Sequence, residues 1–248
     1  MKNRFITSIV YPLIIALILI PGYVIAGELK LGVAVINSHS AIQGKPEETR
    51  VLPAIIYQGE NLSFIYDTLA YSLFTSDSLS MAVTAKQRQK TFELNDSEAL
   101  NGMDKRSDSF DIGINIQLAK SWGMLELAVS GDVSSIYDGY EVKASYSYPW
   151  IKGRWLLKPA LGVSYLDQQL VGYYYGVKNS EQTITGPAYS GEAAINSFVE
   201  ISIFYQLSAK WTAVAGMGYV YLDNAITNSP IVDENHETTL FSAMTYSF

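Results

Sequence analysis

Apolar and polar residues alternate with a period of two along most of the chain. From Ile195 to Leu207 the odd positions are Ile195, Ser197, Val199, Ile201, Ile203, Tyr205 and Leu207, while the even ones include Asn196, Glu200, Ser202 and Gln206. Successive side chains of an extended strand point to opposite faces, so this spacing gives one apolar and one polar face. Trp211, Ala213, Ala215, Met217, Tyr219 and Tyr221 repeat the pattern against Lys210, Thr212, Gly216 and Gly218, and the few residues between the two runs predict a tight hairpin. Phe110 to Leu118, Leu125 to Val129, Tyr140 to Tyr148 and Trp155 to Tyr165 alternate in the same way. The pattern predicts twelve strands, at 28–36, 49–57, 61–67, 69–74, 78–89, 108–119, 122–132, 139–149, 154–166, 194–207, 210–222 and 237–248. Residues 61–74 read either as one long strand or as two short ones, and ten strands is the alternative count.

A water-soluble sandwich would show the same alternation, so the period alone does not choose a membrane. Three further features do. Connections alternate between short (121–123, 149–153, 208–210) and long (91–107, 167–193, 223–237), as periplasmic turns and extracellular loops do in bacterial barrels. Trp122, Trp150, Trp155 and Trp211 all lie beside the short connections, where an interfacial aromatic girdle belongs. Leu240, Ser242, Met244, Tyr246 and Phe248 alternate up to a terminal aromatic, similar to the last-strand signal read by the barrel-assembly machinery. The expected architecture is all-β: a transmembrane antiparallel up-and-down β-barrel, formed by residues 27–248 as a single domain. Closure gives every backbone polar group a partner, as hydrocarbon requires.

The first 26 residues carry the address. Lys2 and Arg4 form a basic start, an apolar run follows from Ile6 to Ile20, and Val24-Ile25-Ala26 reads as a small-residue cleavage signal. Pro21-Gly22 breaks the run, which speaks against a retained membrane helix. The expectation is a signal peptide at 1–26 and a mature chain opening at Gly27, in the outer membrane of a Gram-negative bacterium with both termini periplasmic. Charged residues make up only 17% of the chain, below the roughly 25% usual in soluble domains, as expected of a surface that meets lipid. Cleavage would take Lys2 and Arg4 but no acidic residue and shift the net charge from −7 to −9, which disfavours nucleic acid as a partner.

The polar faces would place Lys86, Arg88, Asp111, Glu126, Glu141, Lys143, Arg154, Lys158 and Glu200 in the lumen, where mixed signs suggest ion pairs. A barrel of ten to twelve strands is wider than one that side chains just fill, so a narrow solute path is an alternative to paired, space-filling charges. Catalysis finds little support. Cysteine is absent, the two histidines, His39 and His236, fall in expected loops, and no nucleophile signature surrounds them. No cofactor is expected. Asp96, Glu98 and Asp104 are too loosely spaced for a calcium loop, so no metal is expected either, and residues 95–108 read as a solvated loop.

Several loop and turn sequences carry a resemblance. They are Gly162-Val163-Ser164-Tyr165-Leu166-Asp167 followed by Tyr173-Tyr174-Tyr175-Gly176-Val177, then Ile226-Thr227-Asn228-Ser229-Pro230-Ile231-Val232-Asp233, and the terminal Tyr246-Ser247-Phe248. Upstream, Leu52-Pro53 with Tyr57-Gln58-Gly59-Glu60-Asn61, and Gly131-Asp132 with Gly139, extend it over nearly the whole mature chain. These segments resemble the MipA/OmpV family of outer-membrane proteins (MltA-interacting proteins). The resemblance implies a non-enzymatic scaffold holding a lytic transglycosylase together with a bifunctional penicillin-binding protein in a murein-synthesising complex; a narrow channel for small solutes is the alternative. A periplasmic partner would meet the short turns, so Glu60, Asn61, Lys120, Trp150, Lys152 and Lys210 are the expected partner-binding residues, and the two long-loop motifs have a structural reading.

Overall fold

The structure is a computed structural model that describes residues 27–182 and 186–248; the expected signal peptide lies outside the described residues. Alternating residues form thirteen strands in one antiparallel sheet: β1 (Gly27–His39), β2 (Glu48–Gly59), β3 (Leu62–Ile65), β4 (Thr68–Thr75), β5 (Leu79–Arg88), β6 (Ser109–Lys120), β7 (Gly123–Asp132), β8 (Tyr140–Ser147), β9 (Trp150–Lys152), β10 (Trp155–Leu166), β11 (Ala194–Gln206), β12 (Trp211–Tyr221) and β13 (His236–Ser247). Strands pair with their neighbours in sequence, and β1 pairs with β13 from Lys30↔Ser247 to His39↔Thr238, so the sheet closes on itself. β9 continues the line of β8 along β10 after a break at Tyr148-Pro149, where proline has no N–H to give. The two segments make one wall strand, and the barrel has twelve.

Two expectations shift in detail. Residues 61–74 form two strands, turning at Tyr66-Asp67, with Tyr66 left-handed at φ 61°. The expected turn at 149–153 shrinks to Gly153-Arg154, because Trp150–Lys152 pairs with Trp155–Leu157 and Gly153 takes a φ of +59°, which suits a residue without Cβ.

The outer wall is apolar. Leu161 is 57% exposed, Val199 55% and Leu240 50%, members of a continuous belt that in water would be an aggregation site and in a bilayer is covered by lipid. Among the described residues no helix is long and apolar enough to cross a membrane; strands do the crossing. Aromatic pairs ring the short-turn end of the wall: Trp122 with Tyr146, Trp155 with Tyr205 at 4.3 Å between centroids, and Trp211 with Tyr246, which also meets Phe248 at 5.0 Å. On the inner face Gly162 lies against the Phe198 ring and Gly216 against that of Phe241, and any Cβ at either glycine would strike the ring.

One part of the wall is thin. β3 meets β2 only through Ile56, Tyr57 and Gln58, so residues 48–55 of β2 are laddered to β1 alone. Pro53 sits in that single-sided stretch, where a missing N–H costs least. Side chains bridge the notch instead, with Arg50 Nη1 donating to Gln89 Oε1 at 2.7 Å.

The opposite end from the short turns carries a cap with its own core. Helix α1 (Gln168–Tyr175) starts at Asp167, whose carboxylate accepts from Leu170 N, and α2 (Asn224–Thr227) starts in the same way at Asp223. Leu170, Val171 and Tyr174 of α1 are buried with Ile42 of the β1–β2 connection, Phe92 and Leu100 of β5–β6, Tyr137 of β7–β8, and Ile226 and Ile231 of β12–β13, so five connections contribute to one cluster. Residues 95–108, expected to be solvated, instead supply Leu100, Met103 and Arg106 to the interior. Their apolar side chains have no period to betray them, and only the partner loops give them somewhere to go.

Candidate functional site

Four of the nine expected lumen charges converge just beneath the cap. Arg88 of β5 donates to Asp111 of β6 at 2.9 Å through Nε and to Glu141 of β8 at 2.6 Å through Nη2, while Lys86 stands 3.5 Å from Glu141. Asp111 is fully buried, and the Tyr137 ring covers the guanidinium at 5.5 Å. Lower in the barrel Glu126 accepts from Asn115 and Gln117 at 2.9 and 3.1 Å, and Lys143 pairs with Glu200 at 3.8 Å while lying over the Phe198 ring. Lys158 is on the inward register, opposite Ser202. Arg154 departs from expectation: it occupies the exposed Gly153-Arg154 turn and donates to Leu207 O at 3.4 Å, because the strand begins one residue later, at Trp155.

Above this network the cap is locked by a buried ion pair. Arg106 Nη1 donates to Glu181 Oε1 at 2.7 Å and Nη2 to Oε2 at 3.0 Å, with both side chains nearly inaccessible. The guanidinium also donates to the carbonyls of Asp104, Tyr173 and Gly176. Burial alone would raise the Glu181 carboxyl; the Arg106 hydrogen bonds and charge, with the backbone N–H groups of Lys178 and Asp104, hold it at about 2. No periodicity connects these two residues, and sequence reasoning missed both.

At the short-turn rim the expected partner-binding residues are all exposed. Glu60 and Asn61 form the β2–β3 turn, and Asn61 O accepts from Ser72 N at 2.7 Å. Lys120 ends β6, and Lys210 lies in the β11–β12 turn with its ammonium 5.1 Å from the centroid of the Tyr246 ring. Trp150 and Lys152, expected in a turn, lie in β9 just before it.

The two histidines also depart from expectation. His39 ends β1 and His236 opens β13, so neither is in a loop, because the closing ladder runs up to His39↔Thr238. Closure brings the rings to 5.8 Å between centroids, and Glu234 lies between them, its Oε2 3.0 Å from His39 Nε2 and 3.6 Å from His236 Nε2. The hydrogen bond from His39 lowers the Glu234 carboxyl.

The family model for "MltA-interacting protein MipA" matches residues 31–248. "Putative outer membrane protein YiaT" of Escherichia coli (strain K12) is 30% identical over 226 residues, covering 90% of this chain and 92% of the relative. "Outer membrane protein OmpV" of Vibrio cholerae is 25% identical over 194 residues, 77% of this chain and 76% of that one. "MltA-interacting protein" of Escherichia coli (strain K12) is 23% identical over 225 residues, 90% and 91% of the two chains.

Proposed function

Because the chain belongs to the MltA-interacting protein family of outer-membrane β-barrels, we propose that it is a scaffold whose short-turn rim faces the periplasm and gathers a lytic transglycosylase and a bifunctional penicillin-binding protein. The observation that carries the reading is the cap. Five connections share one core across the far mouth, Arg106 and Glu181 lock it, and the charges below are engaged with one another, an arrangement that favours holding over passing solutes. The relative named for its interaction with MltA supplies the partner class. In this reading the chain enters through a cleaved signal peptide, is inserted by the barrel-assembly machinery, has both termini in the periplasm and performs no catalysis.

Co-purification with murein enzymes from detergent-solubilised envelopes tests it. Wild type should capture a lytic transglycosylase, and Lys152→Glu with Lys210→Glu should weaken capture and change its salt dependence while the barrel stays folded. Unchanged capture by those variants would move the contact off the rim. No capture by wild type, together with steady single-channel current in planar bilayers that responds to Lys86 or Arg88 substitution, would replace the scaffold with the channel.

A further inference from the structure

The chain has two histidines and no cysteine, and the histidines are 197 positions apart in sequence. The barrel nevertheless brings both to one carboxylate. One atom each from His39, Glu234 and His236 lies within 4.8 Å of the others, and both Nε2 atoms converge on the same Glu234 oxygen, at 3.0 and 3.6 Å. Ligand atoms about 2.1 Å from a tetrahedral zinc stand roughly 3.4 Å from each other, so these separations bracket the edge of a coordination polyhedron. We propose that His39, Glu234 and His236 form a binding site for a divalent transition-metal ion of the zinc class, with the remaining coordination position open to water or an exogenous ligand.

Three observations support the assignment. Glu234 lies two residues before His236, which opens β13, and the register His39↔Thr238 brings His39 to the same face as His236 from the neighbouring strand. The His236 ring is fixed on both sides: it stacks on Tyr219 at 5.2 Å with 16° between planes, and its Nδ1 meets Asn235 Oδ1 at 3.3 Å. A ligating imidazole is commonly held by a partner on its second nitrogen in this way, leaving Nε2 for the metal. The three side chains are 26–39% exposed, so an ion reaches them without any opening of the barrel. Two imidazoles with one carboxylate suit zinc, copper or nickel, whereas calcium and magnesium prefer all-oxygen sites. The ion would tie together the first strand, the last connection and the last strand, across the junction where the barrel closes.

Zinc titration of untagged protein, folded in detergent micelles and stripped with a chelator, tests the site against a chromophoric competitor. Wild type should bind one zinc per chain at micromolar concentration or tighter, with a rise in melting temperature that grows with zinc. His39→Gln, His236→Gln and Glu234→Gln should each weaken binding by about tenfold or more, the double histidine variant should lose it, and millimolar magnesium should not compete. Cobalt(II) should report the same site by its visible absorption. The proposal falls if wild type takes up no zinc, or if the double histidine variant binds as tightly as wild type. Glu234→Gln alters no paired strand residue, so its loss or retention of zinc decides the matter even if a histidine variant fails to fold.

Discussion

Arg106 and Glu181 show how much can rest on one pair of side chains. Truncating Arg106 to alanine leaves a buried carboxylate without its partner and should cost the cap about 3–5 kcal/mol. The pair also gives the cap an acid limit. Glu181 would titrate near 4.5 in an unfolded loop and is held at about 2 in the folded one, so its contribution is complete above pH 4.5 and fades as pH falls toward 2. Protection factors of residues 168–175, exchange rates taken relative to the intrinsic rate at each pH, should therefore fall between pH 4.5 and 2.5 in wild type, while Glu181→Gln should show low protection across the range with a much flatter slope. Neither residue was legible in the sequence, for a physical reason: they are 75 positions apart, in segments with no repeating pattern, and only the folded cap tells which acid meets which base. His39 and His236 differ. Once the chain is read as a closed barrel, the end of the first strand must lie beside the start of the last, so their meeting was implicit in the topology and overlooked because both were assigned to loops.

Among the elements, the strands were the readable part, because a lipid belt on one side and a polar lumen on the other impose a strict two-residue period. The twelve expected segments all appear as strands, with ends moved by at most a few residues. What the period could not show was β9, since Pro149 imitates a turn while the chain resumes its ladder one residue later, and α1, whose Tyr173-Tyr174-Tyr175 run resembles a strand as much as a helix. The inside-outside assignment has a direct test in β11. Val199 and Ile201 face outward, so arginine at either should destabilise the barrel by about 2–4 kcal/mol in a denaturant titration from lipid vesicles. Arginine at Ser202, which faces the lumen opposite Lys158 and Gly216, should cost clearly less. Equal losses at the three positions would reverse the two faces.

For the molecule as a whole, the Val24-Ile25-Ala26 signal predicts mature protein that begins at Gly27, and the closed ring of paired strands predicts that it fractionates with outer membranes and migrates differently on a gel before and after boiling. N-terminal sequencing and a heat-shift gel check both. The cap carries a further implication, for how such a surface can change over generations. Segments joining barrel strands ordinarily accept insertions and drift quickly, because they hang free in water. Here the same residues are core: a peptide tag spliced between Tyr174 and Tyr175 would displace side chains packed among five connections, and the protein should fail to reach the membrane surface intact. A tag between Asn101 and Gly102 should be accepted, because both are exposed and Gly102 turns at φ +90° with no atom within 4 Å of where a Cβ would be. The buried half of these segments fixes the backbone course of the rest, so variation at this face is confined to exposed side chains such as Asn101 and leaves its shape in place.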